Sequence, residues 1–384
     1  MTTKRTEWID CLKFFAILSV VIHHGYGGFY HKWWIVFLTQ FSVPVFVFLG
    51  GANMYQSQER SISVSYCKDV FRRLKALFVP YLIVTAAIVF FQVRQVHLIK
   101  IWDYAIHFSG SAQFYFILFY AQLILISRVL YAIIYACKTS KNNILCYIVS
   151  ILFMSFVCAF LYRHSFVLEV HGGGKFLFGA SFLLLYFVGM IFGAYYKDVK
   201  WNKWVALIVF CCSIIATFFY AYYLYKKGFT IDNTIIKVFG NGNPPGLNSM
   251  FFAFLVCLVG WSANEFIDGF SLAFAFKFRT GFAILGRHTL YVFLMHCFVY
   301  AFFFNSKYGR VLGDNIWIRR CFYIPAEIFL PIMFEVYVRH FFSFFQSLVD
   351  NAKQLTAKNP LGKKLLKLAI GTGALLLLLF ILYK

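Results

Sequence analysis

The stretch Trp8-Ile-Asp-Cys-Leu-Lys-Phe-Phe-Ala-Ile-Leu-Ser-Val-Val-Ile-His-His24 carries four ionisable side chains, Asp10, Lys13, His23 and His24, in an otherwise apolar run. Within a bilayer each such group costs a few kcal/mol, so it survives where it faces a bundle interior or a cavity and does work there. Asp10 and Lys13 are three residues apart and share a helical face. Eleven residues separate Lys13 from His24; eleven steps of about 100° return to within about 20° of the starting azimuth, about 16 Å farther along the axis. One face therefore offers a cation at one depth, suited to holding an anionic group. At another depth it offers an imidazole, suited to moving a proton or carrying a transferred group at neutral pH. The plainer reading has Lys13 snorkelling to the interface and the histidines bonding carbonyls of a neighbouring helix.

Three further stretches invite the same question. Phe41-Ser-Val-Pro-Val-Phe-Val-Phe-Leu-Gly-Gly51 sets Pro44 and Gly50-Gly51 in an apolar run, the pattern of a broken helix lining a cavity or of close helix approach. Lys68, Arg72, Arg73 and Lys75 cluster just before the next apolar run, as a phosphate site or as a topology signal against anionic lipid. Leu285-Gly-Arg-His-Thr-Leu-Tyr-Val-Phe-Leu-Met-His296 contributes Arg287 as an anion contact, with His288 and His296 close enough in azimuth to face one cavity. Glu327 and Glu335 read as partners of buried bases. No phosphate loop, dinucleotide fingerprint, metalloprotease helix or nucleophile elbow is present.

The elements that must position these groups follow from composition. At 61% hydrophobic, 13% charged and a mean hydropathy of +0.74, a water-soluble globule is excluded. The net charge of +22 lies in short segments between apolar runs, a pattern of membrane topology and not of nucleic-acid binding. The expected fold is an all-α, polytopic transmembrane bundle. Ten spans are expected at 8–26, 34–55, 77–95, 113–136, 144–162, 175–196, 204–224, 247–265, 281–304 and 322–345. Residues 1–345 then form one integral membrane domain, and 346–384 a basic segment with a C-terminal hydrophobic helix, in which 365–383 is either an eleventh span or an interfacial anchor. The first run reads as a retained helix, not a cleaved signal. Placing the N-terminus in the cytoplasm assigns nineteen basic residues to that side and thirteen to the other. The ten cysteines, Cys158, Cys211, Cys212, Cys257 and Cys297 among them, read as small buried hydrophobes with neither disulfide nor metal spacing. The turn-rich segment 226–246 suits either an entrance or a connector.

Taken together, these motifs resemble the membrane acyltransferase-3 family over nearly the whole chain. The resemblance rests on Trp-Ile-Asp-x-Leu-Lys with His24 beyond it, Ser-Val-Pro-Val-Phe-x-Phe-x-Gly-Gly, the basic stretch ending at Pro80-Tyr81, and Leu-Gly-Arg-His-Thr-Leu-Tyr-x-Phe-Leu-x-His. It implies a ten-helix, multi-pass plasma-membrane enzyme of bacterial type, an O-acetyltransferase taking its acyl group from acetyl-CoA or another acyl-CoA as donor substrate, with no bound cofactor. The acceptor it implies is a cell-surface or exported carbohydrate. Carried onto this chain, the family's basic-residue and histidine pair falls on Lys13 and His24, lysine standing where arginine is usual, which keeps the charge and gives up bidentate phosphate geometry. Gly50-Gly51 stands where the family has Ser-Gly, and Tyr115-Phe116 where it commonly has Trp-Phe. The resemblance implies a catalytic set of His24, Lys13 and Asp10. Donor contacts would come from Lys13, Arg72, Arg73, Lys75 and Arg287, acceptor contacts from His23 and His296, and partners would be the bilayer, acyl-CoA and the glycan. A polysaccharide exporter without transferase chemistry is the rival reading.

Overall fold

The structure is a computed structural model that describes residues 7–25, 39, 41–60, 65–93, 95, 97–164, 176–226, 244–305 and 316–356. Twelve α-helices and two short 3₁₀ turns account for its regular structure, and no strand occurs among the described residues. In chain order they are α1 (Glu7–Gly25), α2 (Ser42–Arg60), α3 (Tyr66–Val93), α4 (Leu98–His107), α5 (Tyr115–Thr139), α6 (Asn143–Arg163), α7 (Ser181–Tyr195), α8 (Lys203–Lys226), α9 (Leu247–Gly269), α10 (Ala273–Gly286), α11 (Thr289–Asn305) and α12 (Ile316–Thr356). The all-α bundle expected from composition is what forms. Six of these helices are long and apolar enough to cross a membrane, and α10 with α11 makes a seventh if that bent pair counts as one span.

The centre of the bundle is α2 against α7. Helix α7 is short, 15 residues, and buried on nearly every side, the mark of a core helix and not of one facing lipid. Its register with α2 is fixed by small residues. A Cβ on Gly51 would stand 2.2 Å from the Tyr186 carbonyl oxygen, and one on Gly189 2.1 Å from that of Phe48. Glycine is thus what lets the two backbones touch. Helix α2 runs unbroken from Ser42, with Pro44 in the first turn, where its missing N–H costs nothing. Of the two readings of Gly50-Gly51, close approach is the one the backbone takes. Around this pair stand α1 with α10, α8 with α9, and α11 with α12. Ile144, Leu152 and Phe156 of α6 and Phe219 of α8 point outward, as a lipid-facing surface requires.

Several elements differ from their expected bounds. Helix α3 starts at Tyr66, so the basic cluster forms its first turns instead of a preceding loop, and Pro80 is carried inside it. The expected span at 281–304 begins instead at Ala273 and breaks at Arg287-His288, where α10 and α11 meet at 66°. The cause is Gly286, where an added Cβ would stand 1.8 Å from the Asp10 carbonyl oxygen. Helix α10 is drawn so close to α1 that it cannot continue straight past it. An amphipathic helix not expected from the sequence, α4, exposes Ile99 and Trp102. Helix α12 continues through 345 to Thr356, while 365–383 and most of 226–246 lie outside the described residues. Cys211 and Cys212 face outward rather than inward.

Candidate active site

Helix α1 lies between α10, α11 and α12 with its apolar residues Phe14, Ile17, Val20 and Val21 buried against Val292, Phe293 and Ile328. Its polar residues come out at two levels. Near its start, Asp10 is 2% exposed, with Lys13 Nζ 3.6 Å from Oδ1 and Arg287 Nε 3.9 Å from Oδ2. The break between α10 and α11 is what brings Arg287 there. Thr280 Oγ1 donates to Glu7 Oε2 at 3.1 Å and ties α10 to α1 one turn away.

From Lys13 a cavity of about 220 Å³ opens into the bundle, walled by Gly50 and Asn53 of α2, Leu77 of α3, Phe116 and Tyr120 of α5, and Thr289, Leu290 and Phe293 of α11. Gly50 sits where the cavity wall meets the Tyr120 hydroxyl, and a Cβ there would stand 2.9 Å from it. Phe116 and Tyr120 stack at 5.3 Å, 12° from parallel. Tyr120 is a lining residue that the sequence did not single out; its spacing of four from Phe116 on one face of α5 was the available signal.

The basic cluster is organised by a residue the sequence reading passed over. Asp69, 1% exposed, accepts from Arg72 NH2 at 2.5 Å and from Arg73 Nε at 2.8 Å, and Gln58 of α2 donates to it at 3.4 Å. Arg73 also donates to Ser57 Oγ at 2.9 Å. Arg73 is thereby held inward and half of its hydrogen-bonding fork is fixed, whereas the Arg72 side chain is 64% exposed and Lys75 is exposed. The i, i+3 and i+4 spacing of Asp69, Arg72 and Arg73 was legible in the sequence once the helix reached back to Tyr66.

At the other level the histidines meet. His24, exposed at the end of α1, lies with its ring 5.0 Å from that of His296, which is fully buried on α11, and His23 stands 5.3 Å from His24. His296 Nδ1 is 2.8 Å from the Phe293 carbonyl oxygen and 3.2 Å from that of Val292, so Nδ1–H donates there. Nε2 is left as the acceptor, 3.2 Å from Cys297 Sγ. The Phe293 ring, 6.1 Å from that of His296, also lines the cavity. The ligand atoms of His24, His296 and Cys297 lie within 4.8 Å of one another, a soft nitrogen and sulfur set of the kind that holds zinc. The sequence had set Cys297 aside as a packing residue; the tertiary contact gives it polar company. His288 is not part of this group. Its Nδ1 lies 2.9 Å from Glu335 Oε2, and Glu335 is also paired with Arg339, so His288 clasps the α10–α11 break to α12 instead of facing the cavity with His296.

A second cavity, about 520 Å³ and almost wholly apolar, lies between α1, α8, α9 and α10. Arg279 at its edge is engaged by Asn264 Oδ1 at 2.6 Å and Asp268 Oδ1 at 2.8 Å, with Glu7 Oε2 3.7 Å from its Nε.

A family model described as an acyltransferase domain matches residues 6–383. No curated protein and no solved structure matches the chain.

Proposed function

The chain belongs to the membrane acyltransferase-3 family, and from that premise we propose that it moves an acyl group, acetyl in the simplest case, from acyl-CoA in the cytoplasm to a carbohydrate hydroxyl on the opposite side of the plasma membrane. The observation that carries this reading is the cavity that is lined at one side by Lys13 and at another by Phe293, whose ring lies 6.1 Å from that of His296, the partner of His24. In this reading Lys13, Arg73 and Arg287 receive the phosphates of the donor, with Arg72 and Lys75 at the rim. Asp10 is a positioning residue that holds Lys13 and Arg287 at the cavity mouth.

The thioester end of the donor then extends through the cavity toward the histidines. His24 accepts the proton of the sugar hydroxyl as its oxygen attacks the thioester carbonyl; the C–S bond breaks, and the CoA thiolate takes that proton from His24. The buried His296, fixed by two carbonyls through Nδ1, and the neighbouring His23 orient the acceptor and the reacting imidazole. Acyl transfer onto His24 first, with the hydroxyl attacking the acyl-imidazole, uses the same geometry. A cytoplasmic N-terminus, favoured by the excess of basic residues on that side, puts the Lys13 level toward acyl-CoA and the His24 level toward the glycan. The exporter reading drew on broken helices and inner polar groups; α2 runs unbroken from Ser42, and the one break that the described residues carry, between α10 and α11, brings Arg287 to Asp10.

The test is transfer from labelled acetyl-CoA to surface polysaccharide of the source cells, stripped of its esters by mild base, in vesicles carrying the wild type or His24→Ala. The wild type labels the polysaccharide and the variant, at equal abundance, does not. Full labelling by His24→Ala would overturn the reading, and polymer moved across the vesicle without label would favour export.

A further inference from the structure

Four carboxylates of this chain are buried to 2% exposure or less among the described residues: Asp10, Asp69, Glu327 and Glu335. Three of them are ion-paired, Asp10 with Lys13 and Arg287, Asp69 with Arg72 and Arg73, and Glu335 with Arg339 and His288. Glu327 is the exception. It is 1% exposed, and neither of its carboxyl oxygens has a hydrogen-bond partner among the described residues. Taking a carboxyl group out of water without a donor costs free energy that an apolar side chain of the same shape would not. A group kept at such a cost is one whose partner arrives with a ligand.

Its place in the fold says which ligand. Ile324 and Ile328, flanking it on α12, pack against Val20 and Val21 of α1 and Val292 and Phe293 of α11. Glu327 therefore stands on the helix that closes the seam between the two histidine-bearing helices. It lies within electrostatic range of Cys297, whose sulfur is 3.2 Å from His296 Nε2, and His296 in turn lies against His24. A buried carboxyl on a helix packed against both histidine-bearing helices suits a neutral ligand rich in hydroxyl donors, because each sugar hydroxyl offers the proton that these oxygens lack. An anionic ligand would be repelled by the same group.

We infer that Glu327 is an acceptor-binding residue of this site, accepting a hydrogen bond from a carbohydrate hydroxyl adjacent to the one that His24 activates. This rests on the transferase reading above and adds to it the residue that recognises the acceptor. The experiment compares wild type, Glu327→Gln and Glu327→Met in vesicles, using labelled acetyl-CoA and the same ester-stripped polysaccharide, with acetyl-CoA binding and thermal unfolding measured alongside. Glu327→Gln is expected to raise the acceptor KM about tenfold with acetyl-CoA affinity unchanged within a factor of two. Glu327→Met is expected to unfold at the wild-type temperature or above it and yet to lose transfer, the signature of a residue kept for function against stability. Wild-type acceptor KM in either variant, or donor and acceptor constants rising together, overturns the inference and leaves the transferase reading standing. If Glu327→Met does not fold, Glu327→Gln decides alone. A wild type that labels no polysaccharide overturns both readings.

Discussion

The Lys13 level and the His24 level of this bundle are built on opposite electrostatic plans. At the Lys13 level each inward cation is paired with a buried carboxylate: Lys13 and Arg287 share Asp10, and Arg73 leans on Asp69. At the His24 level there is no ion pair among the described residues that involves the histidines of the pair, only imidazoles, a thiol and a carboxyl without a donor. A cation in a low-dielectric interior has to be paired before its ligand arrives, so under the proposed transferase reading a polyanionic donor would bind there by exchanging one partner for another. Groups that only pass protons or accept hydrogen bonds need no counter-ion and work best where water is kept out. The contrast separates a place for charge from a place for chemistry.

Breaking the chemical level has the largest consequence. His24→Ala is expected to lower kcat about 10²- to 10⁴-fold, the range for loss of a positioned general base, with acyl-CoA affinity unchanged; equal loss in binding would merge the two levels. Next comes the frame that both levels share. Gly51→Ala forces a Cβ onto the Tyr186 carbonyl and is expected to destabilise the bundle by about 1–3 kcal/mol, read as a lower unfolding temperature in detergent. Its kinetic effects should fall on donor and acceptor alike, since α2 and α7 serve neither alone.

The charged level yields smaller and more selective effects. Lys13→Ala is expected to raise the donor KM about tenfold, near 1.4 kcal/mol, and to leave the acceptor KM unchanged, with Lys13→Arg closer to wild type. Equal effects of the two substitutions would make the lysine a topology anchor and the level no donor site. Arg72→Ala is expected to change donor affinity by a factor of about two at most, because its side chain is 64% exposed and its pair with Asp69 is screened by water and salt. A loss at Arg72 comparable to that at Lys13 would extend the donor site outward over the first turns of α3.

Sequence and structure divide differently at the two levels. The shared face of Lys13 and His24 was legible because helical periodicity alone fixes azimuth and rise, and α1 is one regular helix from Glu7 to Gly25. His296 was legible as a residue of interest by its type in an apolar run, and Arg287 likewise. Their contacts were not, since the bend at Arg287-His288 turns on how closely α10 can approach the Asp10 backbone, and that distance is set between helices. The same bend sends His288 to Glu335 and leaves His296 to face His24. Asp69 was missed because the basic stretch was placed before the span that begins at 77, and its partnership with Arg72 and Arg73 exists only if that stretch is helical.

The sequence by itself determined that this chain lives in a membrane, that it folds as helices, and that α1 carries a cation and an imidazole on one face. Composition and period decide those things, because the bilayer accepts little else than helices with their backbone bonds closed. Only the tertiary structure decided which of the buried polar groups meet. Glycine contacts between α2 and α7 and between α1 and α10 set helix separations that are invisible in any single segment, and the packing they belong to opens the cavity beside Lys13 and, among the described residues, leaves Glu327 without a hydrogen-bond partner.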